Sequence, residues 1–434
     1  MTLIINSKLL INNKLVKKDI LINKNKIIKI SNKIDQNKYK QIKKIIDAKN
    51  NLTIPGLIDV HVHWREPGFT HKETIKNGSY SAAKGGFTTV MTMPNLNPVP
   101  HDLKSLNVQL DIIKKDSIIK AIPYGSISYN LEGNKLSDMT QIKDYVFAFS
   151  DDGKGIQNAN LMYKAMLKAK SLNKPIVAHC EDETFINSGH INEGNISKKL
   201  NIKGMSFLSE TVHIARDLVL AKETKCHYHI CHVSSKHSLE LIKDAKNKKI
   251  KVTCEVSPHH LISCDEDISS NNGNWKMNPP LRTKDDRYHL IKGIKNKTID
   301  IIATDHAPHA ENEKDVKIEE AAFGVIGSEF AFGLLYTKLV LTKILNLNQI
   351  VDLMTKNVSQ IFKLKSGVLK EKHVADIAIV DLNKSEIITK EWISSNSKNT
   401  PYINEKIFGI NMLTICDGKI VYCHQDFKNN IKSK

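Results

Sequence analysis

The sequence lacks a CxxC cysteine pair and has no apolar run that reaches about 18 residues. Its seven cysteines lie mostly inside apolar, strand-like runs, which is typical of reduced core residues rather than of a small disulfide-linked secreted domain. The N-terminus has no charged segment, apolar segment and cleavage site in the order that a signal peptide requires. These absences predict a soluble cytoplasmic protein without a membrane-spanning helix.

Aromatic residues are also scarce, at 6% of the chain, and no basic stripe interleaved with aromatic side chains is present. The formal net charge is nevertheless +18, which invites comparison with nucleic-acid-binding proteins. Lysine is scattered from end to end, often beside asparagine and isoleucine, as the coding bias of an A+T-rich genome would produce. We therefore expect the charge to lie on solvated faces and predict no nucleic-acid partner.

Both ends of the chain contain short strand-like segments separated by turn residues. Near the N-terminus they are residues 9–11, 15–22 and 26–30, and near the C-terminus residues 375–381 and 413–421, the last containing an Asp-Gly hairpin turn. We expect the two ends to combine into one small β-sandwich.

Between these ends, short apolar runs alternate with stretches of helical periodicity, which indicates βα units and a parallel sheet. The eight runs are residues 54–63, 87–93, 121–128, 146–152, 175–182, 228–234, 252–259 and 299–306. Eight such strands predict an α/β fold with a (β/α)₈ (TIM) barrel. The predicted domains are residues 1–52 and 365–434, which form the β-sandwich, and residues 53–364, which form the catalytic barrel.

Side chains that bind metals collect at the ends of these runs. His61 and His63 end the first run, and because side chains alternate along a strand, both imidazoles face the same way and can bind one ion. The other runs contribute Asp151, Asp152, His179, His232 and Asp305. The carboxyl ends of barrel strands meet at one mouth, so we expect these residues to be neighbours.

Four histidines and two aspartates are more than one zinc ion needs, since a catalytic zinc usually has three protein ligands and one open position. The surplus predicts a binuclear site with a bridging carboxylate and a hydroxide nucleophile. Asp305 is the candidate base, able to take a proton from the hydroxide and pass it to a leaving nitrogen. Any one of these residues could instead have a structural role at a strand end, and Asp151 remains the alternative to Asp152 as bridging ligand.

The motifs around these residues resemble those of the class I dihydroorotases, a family of the amidohydrolase superfamily. The matching segments extend over nearly the whole chain and are residues 55–63, 65–68, 93–95, 149–153, 178–182, 231–234, 276–282 and 303–309. Together they are far more specific than the two histidines alone. The resemblance implies an enzyme of pyrimidine biosynthesis that reversibly interconverts N-carbamoyl-L-aspartate and L-dihydroorotate.

The resemblance also implies two Zn²⁺ ions per protomer. One would be bound by His61, His63 and Asp305, the other by His179 and His232, and Asp152 would be shared. In the related hydantoinases and allantoinases the bridging group is usually a carboxylated lysine at the end of the fourth strand. Here Lys154 lies beyond the Gly153 turn, which favours a dihydroorotase. A homodimer and an association with aspartate transcarbamoylase are the protein partners that the family suggests.

The substrate carries an α-carboxylate, and Arg65 offers a planar pair of donors for it. The alternative for Arg65 is a surface salt bridge with Glu66. Other positions that match substrate-binding residues of the family are Asn95, Asn278, His309, Phe323 and Gly324. The charged segment 310–317 is either a lid or a solvated loop.

Three other functions are compatible with parts of the sequence. Allantoinase or hydantoinase activity would use the same barrel and metal ligands on a different ring. A catalytically silent homologue could serve as a scaffold for aspartate transcarbamoylase, but the six intact ligand candidates and Arg65 argue against it. Nucleic-acid binding, which rests on charge alone, ranks last.

Overall fold

The structure is a computed structural model that describes residues 1–433. Its first three strands form an antiparallel meander in which the residues at the tight turns, Asn12, Asn13 and Lys24, have positive φ. Asparagine adopts this conformation more readily than most residues, which explains the turn after the first strand. The N-terminal strands are β1 (Thr2–Ile11), β2 (Lys14–Asn23), β3 (Lys26–Ser31), β4 (Lys44–Asp47) and β5 (Leu52–Pro55).

The central part of the chain alternates strands and helices. Its strands are β6 (Leu57–Val62), β7 (Phe87–Thr92), β8 (Lys120–Pro123), β9 (Ile176–Ala178), β10 (Ile191–Asn192), β11 (Gly204–Met205), β12 (Tyr228–Ile230), β13 (Val252–Val256) and β14 (Ile301–Ile302). All residues of β6, β7, β9, β12 and β14 are buried, as expected for strands covered on both faces.

The helices mostly follow these strands, and several begin at a side chain that caps the first turn. Thr74, Asp102 and Thr283 each accept a hydrogen bond from a backbone N–H of the helix that they precede. The helices are α1 (Ile75–Lys84), α2 (Leu103–Asp116), α3 (Met139–Ile142), α4 (Ala159–Ser171), α5 (Asn195–Leu200), α6 (Leu208–Thr224), α7 (Lys236–Asn247), α8 (Pro258–Ile262), α9 (Lys284–Lys295), α10 (Glu311–Lys314), α11 (Ala331–Leu335), α12 (Leu347–Leu353) and α13 (Lys356–Phe362).

The central strands pair in parallel and in chain order. β6, β7 and β8 form one set, and β9, β12, β13 and β14 form another. Phe149 forms isolated parallel bridges with Gly125 and Ile176, which join the first set to the second, and His306 bridges Val62 at the other side. Pairing therefore returns to β6, and the carboxyl ends of these strands lie at one edge.

The C-terminal strands are β15 (Ile377–Ile387), β16 (Lys406–Cys416), β17 (Lys419–Cys423) and β18 (Ile431–Ser433). β15 pairs with β5, and β18 pairs with β4, so both chain ends belong to one hydrogen-bonded sheet of nine strands. The expected Asp417-Gly418 hairpin joins β16 to β17, with positive φ at both turn residues. One apolar core packs Ile326, Phe330 and Leu334 against this sheet.

Two predicted strands differ from the structure. The run from residue 54 to 63 is two strands, because β5 pairs with the end strands β1 and β15 while β6 pairs with β7. The run from residue 146 to 152 forms only the isolated bridges of Phe149. The coarser prediction, a mixed α/β core with a β unit, is confirmed, whereas the domain boundaries stay a prediction. Within residues 1–433, no helix combines the length and apolar character that crossing a bilayer requires.

Candidate metal centre and active site

Two histidines lie at the carboxyl end of β6. His61 is the penultimate residue of the strand and His63 follows it, and their ring centroids are 5.2 Å apart. The Nε2 atoms of both rings approach Asp305 Oδ1, at 3.4 Å from His61 and 3.1 Å from His63. The structure thus brings together the three residues predicted for the first metal position.

A second histidine pair lies where β9 and β12 end. His179 follows β9 directly, and His232 lies two residues after β12. His179 Nδ1 and His232 Nε2 are 3.0 Å apart, and both rings are buried. These residues were predicted to bind the second metal ion, and their facing nitrogens are placed to do so.

Asp152 lies between the two histidine pairs. Its oxygens are 3.2 Å from His63 Nε2, 3.4 Å from His61 Nε2, 3.6 Å from His232 Nε2 and 3.8 Å from His179 Nδ1. Asp151 instead accepts hydrogen bonds from Ile127 N–H, Ser128 N–H and the Ser128 hydroxyl. Of the two aspartates, Asp152 therefore faces the imidazoles.

The donor set fits one or more metal ions. Two ligands at about 2.1 Å from a tetrahedral ion are about 3.4 Å apart, which is the spacing found in this cluster. His61 Nε2 and Asp152 Oδ1 are buried and have no hydrogen-bond partner, a costly arrangement that a bound cation relieves. Two sets of three ligand atoms, each within 4.8 Å of one another, are His61 with Asp152 and His232, and His61 with His63 and Asp305.

Opposite charges keep the aspartates of this cluster ionised. Burial alone would raise the pKa of Asp152, but His61, His232 and His63 hold it well below its usual value. The pKa of Asp305 is lowered in the same way, with His61 and His63 opposing the effect of burial. Both carboxylates are therefore anionic at neutral pH, as metal ligands must be.

Glu255, the penultimate residue of β13, is a functional candidate that the sequence reasoning missed. Its Oε1 accepts a hydrogen bond from His61 Nδ1 at 2.6 Å, and its Oε2 accepts one from His229 Nε2 at 3.1 Å. Burial would raise the pKa of Glu255, but His61 and His229 lower it to about 2. The carboxylate orients His61 so that Nε2 points into the cluster. A glutamate inside the apolar run Val252–Val256 was the available indication.

Asn95 and Asn278 border the cluster. Asn95 Oδ1 accepts a hydrogen bond from His63 Nδ1 at 2.9 Å, so this residue orients a candidate ligand. Asn278 Nδ2 donates to Glu181 Oε2 at 2.6 Å and lies 3.4 Å from His179 Nε2. Both predicted substrate-binding asparagines are thus adjacent to histidines predicted to bind metal.

Arg65 is buried beside the cluster rather than paired on the surface. Its Nε donates to Pro308 O at 3.0 Å, and its Nη2 lies 3.2 Å from His309 Nε2. Glu66 accepts a hydrogen bond from Ile75 N–H instead, so the surface salt bridge considered for Arg65 is absent. Burial lowers the pKa of Arg65 to about 10, and it stays charged at neutral pH.

His309 joins Arg65 to the segment at Phe323 and Gly324. His309 Nε2 donates to Phe323 O at 2.8 Å, and burial lowers the pKa of His309 to about 2, so the ring is neutral. Gly324 has φ +135°, and a Cβ atom there would lie 2.7 Å from Ala307 Cβ. Glycine is therefore required where this segment passes close to the chain after Asp305.

Segment 310–317 is fixed at its centre by a buried lysine. Lys314, the last residue of α10, is 2% exposed and donates to the carbonyls of Lys276, Ala322 and Gly324 at 2.8–2.9 Å. Burial, together with the nearby Lys276, lowers the pKa of Lys314 to about 7. The segment is neither a fully solvated loop nor a detached lid, because this side chain connects it to Gly324.

The backbone is similar to those of solved hydantoinases and dihydropyrimidinases. L-hydantoinase (dihydropyrimidinase) from Arthrobacter aurescens matches with a TM-score of 0.86 and 22% identity, over 96% of this chain and 95% of that one. Dihydropyrimidinase from Brevibacillus agri NCHU1002 matches with a TM-score of 0.84 and 19% identity, over 96% and 94%. Together with the sequence relatives described next, this fold and site define an enzyme of the cyclic amidohydrolase class.

Sequence comparison identifies the family more closely. A model described as dihydro-orotase-like matches residues 50–238. A dihydroorotase of Fusobacterium nucleatum is 57% identical over 368 residues, 85% of this chain and 87% of that protein. A dihydroorotase of Listeria innocua is 48% identical over 365 residues, 84% of this chain and 86% of that protein. The chain belongs to the dihydroorotase family.

Proposed function

We propose that this protein is a zinc-dependent dihydroorotase that interconverts N-carbamoyl-L-aspartate and L-dihydroorotate in pyrimidine biosynthesis. The observation that carries the proposal is the position of Asp152 between two buried histidine pairs, with Asp305 against one of them. The close relatives named dihydroorotase support the choice of substrate.

The proposed ligands are His61, His63 and Asp305 for one ion and His179 and His232 for a second, with Asp152 shared. When bound, the zinc ions supply a Lewis acid for the ring carbonyl and lower the pKa of water. Glu255 and Asn95 hold His61 and His63 in the orientation that directs both Nε2 atoms at the aspartates. The chain thus supplies an anionic, preorganised cage before substrate arrives.

Asp305 is the proposed proton carrier. Because its pKa is low, the carboxylate is unprotonated at neutral pH. In the hydrolytic direction it can therefore accept a proton from the attacking hydroxide. It then gives this proton to the ring nitrogen that departs as the amide bond breaks. In the synthetic direction the same carboxylate accepts the proton of the carbamoyl nitrogen as the C–N bond forms, and returns it to the carboxyl oxygen that leaves as hydroxide when the C–O bond breaks.

The proposed substrate site lies beside Arg65. In the Arg65 guanidinium, Nε and Nη2 contact protein groups, whereas Nη1 makes no hydrogen bond to the protein. The guanidinium can therefore pair with the α-carboxylate of either substrate. The remaining candidates are Asn95, Asn278, His309 and the backbone of Phe323 and Gly324. The hydrogen bond from His309 to Phe323 O keeps these two residues together at one side of the pocket.

We also propose that the central strands close into a (β/α)₈ barrel. The order of parallel pairing supports this proposal, with Phe149 as the fourth strand position and the His306–Val62 bridge as closure. The barrel would explain how residues from β6, β9 and β12 reach one pocket.

The nearest rivals are hydantoinase and allantoinase. Their bridging lysine has no counterpart facing the histidines, because Lys154 is exposed while Asp152 is buried among them. Burying carboxylates beside imidazole nitrogens that lack hydrogen-bond partners is costly, and a catalytically silent scaffold would gain nothing from it. Both observations favour dihydroorotase activity.

The first experiment measures bound metal per protomer and turnover of dihydroorotate, hydantoin and allantoin, with and without a chelator. We expect chelator-sensitive hydrolysis of dihydroorotate alone. Turnover of hydantoin or allantoin instead would show that the proposed substrate is wrong. Bound zinc without turnover of any of the three compounds would support the catalytically silent scaffold.

The role of Asp305 is tested by Asp305→Asn, with Asp300→Asn as control because Asp300 precedes the same strand, β14, at its other end. Asp300 pairs with Lys246 and accepts from Cys254 N–H. We expect Asp305→Asn to lower kcat by about 10² to 10⁴ and Asp300→Asn to leave it nearly unchanged. Equal kcat in wild type and Asp305→Asn would disprove the assignment.

The homodimer and the association with aspartate transcarbamoylase remain predictions drawn from the family. Light scattering on the pure protein, alone and mixed with the transcarbamoylase of the same organism, measures both. A monomer whose mass is unchanged by mixing would contradict them.

A further inference from the structure

The connection between β15 and β16 passes close to the proposed substrate site. The part that does so, residues 393–402, is called the crossing segment here. Ser395, Ser397, Asn399 and Thr400 within it are all buried. It belongs to the part of the chain predicted as β-sandwich, outside every motif that pointed to catalysis.

Asn399 makes the closest connection between this segment and the site. Its Nδ2 donates to Ala307 O at 3.0 Å and to Gly324 O at 3.1 Å, and its Oδ1 accepts from His309 N–H at 3.1 Å. Its own carbonyl accepts from Ile326 N–H at 3.0 Å. Both amide hydrogens and the amide oxygen are thus used, and the orientation of the amide is dictated by its partners.

These bonds hold together two stretches that the proposed function assigns to substrate. His309 and Gly324 are substrate candidates, and Ala307 is only two residues from Asp305. Arg65 is bound to Pro308 O, between the two residues that Asn399 contacts. Displacing this stretch would therefore move Arg65 and His309 together.

We infer that Asn399 is a positioning residue that fixes the substrate-binding groups His309, Gly324 and Arg65 from the C-terminal unit. The inference rests on the proposed function for its substrate. It predicts that loss of the Asn399 amide weakens substrate binding more than it slows the chemical step, because the metal-binding histidines lie on other strands.

The test uses Asn399→Asp, which keeps the shape and the acceptor for His309 N–H but loses both donors. The matched control is Asn411→Asp in β16. Asn411 is also buried in the C-terminal unit, and its Nδ2 donates to the backbone of α1 at Ala83 O and Lys84 O and to Thr414 Oγ1. Both variants therefore lose donors to backbone carbonyls, at different places.

For Asn399→Asp we expect KM for dihydroorotate to rise about tenfold or more, with kcat within about threefold and zinc content unchanged. For Asn411→Asp we expect a similar fall in Tm without the change in KM. Equal KM values in the two variants, or a loss confined to kcat and zinc content, would overturn the inference.

Hydrogen–deuterium exchange supplies a readout that does not depend on turnover. Asn399→Ala, which also removes the acceptor, should speed exchange in residues 305–327 relative to Asn411→Ala. If wild type lacks dihydroorotase activity, the proposed function fails while this result still decides whether Asn399 fixes the segment. Unchanged exchange in Asn399→Ala would overturn the inference in either case.

Discussion

Glu255 contacts the proposed metal centre through the ring of His61. It holds Nδ1 while Nε2 faces Asp152 and Asp305, so the carboxylate orients the ring and would strengthen it as a ligand. We therefore expect this fully buried residue, which is outside the proposed ligand set, to affect metal retention.

We predict that Glu255→Gln lowers zinc affinity by about 10- to 100-fold, because the amide cannot match the charge of the carboxylate beside His61. Competition with a zinc chelator measures the change. The control is Glu210→Gln, an equally buried glutamate that accepts hydrogen bonds from Ser234. Equal zinc affinities in the two variants would contradict the prediction.

Glu73 provides a prediction on pH. It is buried, accepts hydrogen bonds from the Ser395 hydroxyl and Asn396 N–H, and has its pKa raised by burial to about 7 from an ordinary value of 4.5. Below about pH 4.5 the group is protonated in both folded and unfolded chains. Between about 4.5 and 7 the unfolded chain ionises first, so the contribution of Glu73 to stability falls as pH rises.

We therefore expect the free energy of unfolding of wild type, relative to Glu73→Gln, to decrease from pH 4.5 to 7 and then level off. Denaturant titrations at several pH values measure this difference. A difference that stays constant, or that grows with pH, would show that Glu73 is ionised in the folded protein throughout.

At this scale the sequence was sufficient to select the six ligand candidates that the structure brings together, because histidine and aspartate at the ends of apolar runs are visible without coordinates. Glu255 and Asn399 were not visible in the same way. Their contacts depend on how the fold brings β13 to His61 and on which loop crosses Ala307, and both relations involve residues far apart in the chain.

Among the secondary-structure elements, α10 owes its position to one side chain. This four-residue helix is too short to be stable alone, and Lys314 at its end donates to three carbonyls that would otherwise lack these bonds. The lysine stem fills the space between α10 and the Gly324 segment.

We predict that Lys314→Met, which keeps the length of the side chain, lowers the free energy of unfolding by about 2–3 kcal/mol through the three lost hydrogen bonds. Chemical denaturation measures the loss. Lys317→Met, at an exposed position three residues away, should change it by less than about 0.5 kcal/mol. Similar losses of unfolding free energy in both variants would mean that the buried hydrogen bonds of Lys314 do not contribute to stability.

Strand existence was easier to predict than strand limits. The run from residue 54 to 63 was predicted as one strand, although the Pro55-Gly56 pair, a local turn signal, lies where pairing changes from β15 to β7. The run around Phe149 forms single bridges to its neighbours instead of a ladder, and nothing local indicates this. The limit of the first run was therefore visible in the sequence, whereas the second depended on its pairing partners.

At the scale of the whole molecule, the metal centre is expected to contribute to stability. The cluster places two ionised aspartates in a buried site, and the nearby histidines and Arg65 offset their mutual repulsion only in part. An ion that binds the folded chain and not the unfolded one raises Tm.

We predict that chelation lowers Tm by about 5 °C or more and that zinc restores it, whereas magnesium does not, because imidazole nitrogens prefer zinc. Differential scanning fluorimetry of the same sample before and after chelation, and after each metal is added back, measures this. Recovery with magnesium, or no shift at all, would contradict the proposed zinc site.

The pairing of β5 with β15 also has a consequence for synthesis on the ribosome. Pro55 and Ile377 are partners in the sheet, yet 321 residues are translated between them. At roughly 5–20 residues per second, β15 is synthesised roughly 15–65 s after β5. During that interval the nascent chain carries an unpaired strand edge, which is open to association with other chains, and the crossing segment that reaches Ala307 emerges later than β15.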